Sequence, residues 1–199
     1  MSQSNRLMLT QSLIGSWLYQ FNAYDSQEAQ KEFLRVLCKE PVEETEAMHK
    51  GNEFEALVYA CCEGADVDHA WAPCAKQAAS LVRGGQFQAT ARKNMTASGV
   101  DLLLYGRLDA LKAGVVYDIK FSEKYVAGKY INSPQHPMYL ELIPEARKFV
   151  YVVSDGADLF LETYTRAEVE PIESIVRQFL GDLRAAGQMD LYRQHWTAK

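Results

Sequence analysis

The sequence predicts a layered α+β or mixed α/β domain: helices first, then a mostly antiparallel sheet interrupted by one helix, then a closing helix. Two observations carry this. Apolar residues recur at helical spacing through the first 85 positions, and from about residue 87 the period changes to that of strands. A third, the size, sets the scale: 199 residues with 48% apolar and 24% charged content suit one domain around one core.

Each element has its own signal. Leu13, Trp17, Leu18 and Phe21 place a helix over residues 10–24, with Thr10 or Ser12 as its cap. Ser26 starts a second helix through Phe33, Leu34, Leu37 and Cys38, stopped before Pro41. A third spans about residues 51–62 on a stripe of Phe54, Leu57, Val58 and Cys61, and a fourth spans 72–83, ended by Gly84-Gly85. Residues 87–93 alternate weakly, while 100–111 and 115–121 read as strands divided by Gly114. A helix over about 134–142 follows, then strands at 148–153 and 159–164 joined by Ser154-Asp155-Gly156. Residues 169–186 form the closing helix, whose Ile172, Ile175, Val176, Phe179 and Leu183 must pack back onto the first. No repeat or linker divides the chain, so 1–199 reads as a single domain with a mostly helical portion, 1–85, and a sheet core, 86–199.

The composition bounds the partners. A net charge of −5 argues against a protein that coats nucleic acid through a broad basic face, but leaves local DNA binding open. No apolar run is long enough to span a bilayer. The opening MSQSNRLMLTQS lacks the basic-then-apolar pattern of a signal peptide, so a cytoplasmic protein is expected. Four cysteines, Cys38, Cys61, Cys62 and Cys74, are few for a disulfide scaffold.

The chemistry concentrates in Gly106-Arg-Leu-Asp109 and Val115-Val-Tyr-Asp118-Ile-Lys120-Phe. Asp118 and Lys120 are two apart on a strand and leave the same face, beside a second carboxylate, Asp109. Carboxylates hold a hard divalent cation, and an ammonium can orient water or stabilise phosphate charge. Asp-x-Lys alone is common on exposed strands; its company gives it weight. Glu55 stands four residues after Gly51 on a helix, and Gln135 and Tyr139 are at i and i+4 on another.

Taken in order, GxxxE, GxLD, DIK and QxxxY resemble the RecB-like, phage-exonuclease branch of the PD-(D/E)XK nucleases, over about residues 10–139. The resemblance implies a restriction-endonuclease-like core and a Mg²⁺- or Mn²⁺-dependent deoxyribonuclease, an exonuclease before an endonuclease, in phage or bacterial recombination, repair or defence. It implies that Glu55, Asp109 and Asp118 ligate the metal with the Ile119 carbonyl oxygen, and that Lys120 orients the attacking water. Gln135 and Tyr139 would position DNA or the groups around the metal. A recombination, helicase or single-strand-binding protein is the implied partner besides DNA, with an oligomer open. The alternative is a non-catalytic DNA- or protein-binding module on the same scaffold, against which the intact Glu55, Asp109, Asp118 and Lys120 set argues.

Residues 122–133 hold Lys124, Tyr125, Lys129 and Tyr130 directly after the catalytic strand, cations for phosphates and aromatics for unpaired bases. Arg92 and Lys93 are weaker candidates for the same surface. His136 is expected to be structural or exposed, and His49, just before the first motif, is only a minor candidate for an outlying group near the metal site. Cluster-bearing relatives carry three cysteines after QxxxY; here none follows Cys74, so no iron–sulfur cluster is expected. A zinc site of Cys61, Cys62, His69 and Cys74 lacks the usual spacing, and free thiols are expected instead.

Overall fold

The computed structural model describes residues 6–198, so residues 1–5, part of the stretch read for a leader, lie outside it. Strand β1 (Leu7–Thr10) runs directly into α1 (Gln11–Tyr19), whose cap is the Thr10 side chain accepting the Leu13 N–H. Helix α2 (Ser26–Leu37) is capped by Asp25 and α3 (Glu46–Cys62) by Thr45, a turn and a half earlier than its apolar stripe suggests. Helix α4 (Ala72–Val82) lies along α3.

The sheet region then follows: β2 (Gln86–Phe87), β3 (Thr90–Ala97), β4 (Val100–Arg107), β5 (Ala110–Lys112) and β6 (Val115–Phe121). Helix α5 (Gln135–Leu142) crosses over to β7 (Lys148–Ser154), and β8 (Leu159–Thr165) returns antiparallel to it. The chain closes with α6 (Ile172–Ala185) and α7 (Met189–Trp196).

The strands form two sheets, a three-stranded one in the order β1-β4-β3 and a five-stranded one in the order β2-β5-β6-β7-β8. Both are mixed: four of the six strand pairings are antiparallel, in keeping with the expectation, while β1 pairs parallel with β4 and β6 parallel with β7. The expected strand over 100–111 is two strands. The chain breaks at Leu108-Asp109, where the Leu108 N–H donates to Ala89 O and Asp109 O accepts from the Gln88 N–H. Asp109 therefore sits in the step between the two sheets. Strand β1 and helix α7 were not expected: four residues of strand merge into the helix that follows, and α7 is two turns long.

Alternation along β6 and β7 divides the core. Val116, Phe149, Tyr151 and Val153 face inward to α5 and α6, while Val115, Ile119, Val150 and Val152 face α3 and α4. Strand β7 is buried on both faces, which explains its unbroken apolar run. The closing helix packs as its stripe requires: Phe179 meets Trp17 edge-on at 5.5 Å and Phe33 at 6.5 Å. The result is a mixed α/β domain with helices on both faces of the five-stranded sheet and on one face of the three-stranded sheet.

Candidate active site

The site lies where the inner and outer halves of the core meet, at the edge of β6 beyond the end of β5. Asp118 is on the inner face of β6, 4% exposed, and shares that face with Lys120. The Lys120 ammonium stands 2.7 Å from Asp118 Oδ2. Across from it, the α5 residue Gln135 donates its amide N–H to Asp118 Oδ1. Asp109 reaches the same edge from the step after β4 and accepts the Ile119 N–H on its Oδ2 at 2.8 Å. On an extended strand, N–H and C=O of one residue leave by the same edge, so the Ile119 carbonyl is also turned toward Asp109 rather than toward β7.

Burial of this many charges perturbs them. Desolvation first, and the Asp118 charge second, push the Asp109 carboxyl up to about 8. Burial also raises Asp118, with the Lys120 ammonium opposing. Burial alone would lower Lys120, but the two carboxylates hold its ammonium above the ordinary lysine value.

Glu55 arrives from the opposite side, on α3. Phe54, Val58 and Cys61 bury that helix against the outer face of the sheet, which leaves Glu55 at the margin of the buried stripe. Tyr59, one turn on, donates its hydroxyl to Glu55 Oε1 at 2.5 Å and lies 3.2 Å from Asp109 O. The Gln88 amide donates to Glu55 Oε1 and to the Tyr59 oxygen, both at 2.6 Å.

The donor set suits a hard divalent cation. Three carboxylates and a backbone carbonyl offer oxygen alone. Asp118 Oδ2 is buried and receives no aligned hydrogen bond despite the nearby ammonium. Yet no three His, Cys, Asp or Glu side chains among the described residues form a ready-made cation shell. The Ile119 N–H, Gln135 and Lys120 hold the aspartates, and Tyr59 and Gln88 hold Glu55. A cation here would supply the positive charge that the two aspartates share with a single ammonium.

The remaining expected residues sort by position. Tyr139 is 4% exposed; its hydroxyl donates to Arg107 O at 2.7 Å and its ring covers Gly106. It fixes the strand that leads to Asp109. Tyr125 and Tyr130 do not stand free for bases: Tyr125 packs on Phe160 and donates to Glu162, and Tyr130 stacks on Tyr151 at 4.5 Å. Lys129 donates to Ser122 Oγ, and with Lys124 and Lys50 it lines a cleft of about 350 Å³ beyond the end of β6. Arg92 and Lys93 lie on β3 in the other sheet, Arg92 over the Tyr105 ring and Lys93 paired with Glu141. His136 is buried, stacked on Tyr164 at 4.1 Å. His49 pairs with Glu44 on the surface of α3.

Sequence reasoning missed Tyr59, Gln88 and Glu162. Tyr59 had a signal, its i+4 spacing from Glu55. Glu162 accepts from the hydroxyls of Tyr125 and Tyr164 and from the N–H groups of Gly128 and Tyr130. Burial would raise its carboxyl, but these four donors outweigh it and hold the group below the usual carboxylate range. It anchors the whole loop that follows β6. The four cysteines carry free thiols; Cys61 and Cys74 are buried in the layer between α3, α4 and the sheet. No helix among the described residues is long and apolar enough to cross a membrane.

No protein family model and no curated protein matches the chain. Among solved structures it is similar to the crystal structure of SSO0001, with a TM-score of 0.53 and 14% identity over 94% of this chain and 78% of that one. The Scheffersomyces stipitis Rai1 structure overlaps 91% of this chain and 62% of its own, at 15% identity and a TM-score of 0.37, too low to support an argument. The likeness to SSO0001 establishes a shared mixed α/β fold.

Proposed function

We propose that the protein is a Mg²⁺- or Mn²⁺-dependent deoxyribonuclease of the PD-(D/E)XK type. One observation carries the reading. Asp118, buried on β6, and Asp109, half-buried in the step between β4 and β5, stand at the same edge of the sheet with a single ammonium, Lys120, 2.7 Å from Asp118 Oδ2. Two carboxylates, one buried and one half-buried, with one cation are costly in a purely structural role, since removal from water without full compensation disfavours the charged form. A divalent ion removes the imbalance.

Glu55, Asp109, Asp118 and the Ile119 carbonyl would hold the ion, which supplies the Lewis acidity that phosphodiester hydrolysis needs. Lys120, whose side chain is 32% exposed, pairs with the buried Asp118 while remaining open to solvent. Because the carboxylates keep it protonated, it serves as a charge stabiliser and water-orienting donor, not as a base. A water oxygen bonds to phosphorus, one P–O ester bond breaks, and the leaving oxygen takes a proton. Gln135 holds Asp118 in register through that change. The cleft beyond the end of β6 holds Lys124 and Lys129, cations for the phosphates of a DNA strand, while its Lys50 is already paired with Glu46 and Glu123.

End-labelled linear and closed circular DNA, single and double stranded, incubated with Mg²⁺ or Mn²⁺, test the reading. Cleavage abolished by EDTA and by Asp118→Ala is expected, with linear DNA cut in preference to circles. DNA binding without metal-dependent cleavage would favour a non-catalytic module instead.

A further inference from the structure

Gln88 occupies the link between β2 and β3 in a left-handed conformation, φ +52°, that residues with side chains rarely adopt. Such strain persists where the surroundings over-determine it, and here they do. The Gln88 backbone N–H donates to Asp109 O at 3.2 Å, and its side-chain amide donates to Glu55 Oε1 and Tyr59 Oη at 2.6 Å each. The amide orientation follows from its partner: turned the other way, its carbonyl oxygen would oppose a carboxylate oxygen.

One residue thus grips the peptide of one metal-site carboxylate and the side chain of another. Glu55 and Asp109 come from α3 and from the step between the sheets, and nothing in the chain's local structure sets their separation. Among the described residues Glu55 forms no ion pair; its Oε1 is held by two neutral donors, which leaves Oε2 for a further ligand. Tyr59 completes the triangle, accepting from Gln88 and donating to Glu55.

We propose that Gln88, assisted by Tyr59, is the positioning residue that sets the Glu55–Asp109 spacing and turns one Glu55 oxygen toward the metal. The proposal rests on the nuclease reading above. The outer hydrogen bonds of a metal site commonly change affinity by about 10- to 100-fold, and an effect of that size is expected here.

Two variants separate positioning from mere folding. Gln88→Gly relieves the left-handed strain while removing the amide, and Gln88→Met keeps the side-chain length but has no donor. Gln88→Gly should melt at the wild-type temperature or higher, yet bind Mn²⁺ about tenfold or more weakly by calorimetry, with kcat reduced in step. Gln88→Met should share the metal defect, and Tyr59→Phe should show a milder one. Wild-type Mn²⁺ affinity in both Gln88 variants would overturn the proposal. If the wild-type protein bound no Mn²⁺, the nuclease reading itself would fall, a result distinct from a defect confined to the variants.

Discussion

The ring of Tyr139 fills the space that any side chain on Gly106 would need: a Cβ there would come within 2.5 Å of the ring Cε1 and 2.8 Å of Leu142 Cδ1. Both are side-chain carbons of the buried helix α5, so neither can swing away into solvent. Gly106 is required not for its φ but for close approach, since α5 lies directly on β4. Gly106→Ala should therefore destabilise by about 1–3 kcal/mol in urea unfolding. It should also displace the Asp109 step, costing activity beyond what the lost stability explains. Gly51, by contrast, meets nothing within 4 Å, and Gly51→Ala should be neutral or stabilising.

Asp109→Asn keeps an oxygen for the Ile119 N–H while removing a charge that burial and Asp118 oppose. Its expected effect is a loss of cleavage of about 100- to 1000-fold with an unchanged or raised melting temperature. Turnover like wild type would sink the metal-ligand role of this residue.

Glu162→Gln should loosen residues 125–130, because an amide cannot accept from four donors at once. Hydrogen bonds to a charged group are worth about 1.5–3 kcal/mol each when lost, so the free energy of local opening should fall by at least that much. Faster amide exchange at Gly128 and Tyr130, with the sheet unaffected, is the readout.

The buried His136 ring is held neutral, its pKa lowered to about 4 by desolvation, against 6.5 when exposed. Below 6.5 the unfolded chain takes up a proton that the folded one refuses. The contribution of His136 to stability is thus present above pH 6.5 and lost as pH falls toward 4. His136→Phe preserves the stack on Tyr164 and should lose less stability than wild type over that interval, by up to about 3 kcal/mol at its lower end. Paired denaturant titrations at pH 7 and 4.5 measure the difference.

Lys124→Ala and Lys129→Ala should each weaken DNA binding uniformly across sequences and reduce the slope of log affinity against log salt by about 1. Tyr125→Phe should lower stability through Glu162 without changing that slope.

Much of the site was legible because its residues obey simple periods. Asp118 and Lys120 share a strand face by alternation, and Gln135 and Tyr139 share a helix face by i+4 spacing; the fold keeps both pairs together. Gln88 had no such signal, since its contacts depend on a left-handed backbone in a link with no glycine. Glu162 reads as an ordinary exposed strand residue until the loop after β6 folds over it. The tyrosines of that loop misled for the same reason: composition reports what side chains could touch, not that Glu162, Phe160 and Tyr151 already engage them. The step at Leu108-Asp109 was hidden because no glycine or proline marks it.

The division of the core has a thermodynamic consequence. Glu55 belongs to the layer of α3 and α4, whereas Asp118 and Gln135 belong to the inner layer around α5. Either layer could open locally while the other stayed folded, and each opening would dismantle the site. A ligand that bridges Glu55 and Asp118 binds only when both layers are closed, so it adds RT ln(1 + [L]/Kd) to the free energy of opening either one. At about 100 times its dissociation constant that is about 2.7 kcal/mol. The occupied site would act as a rivet between the two layers.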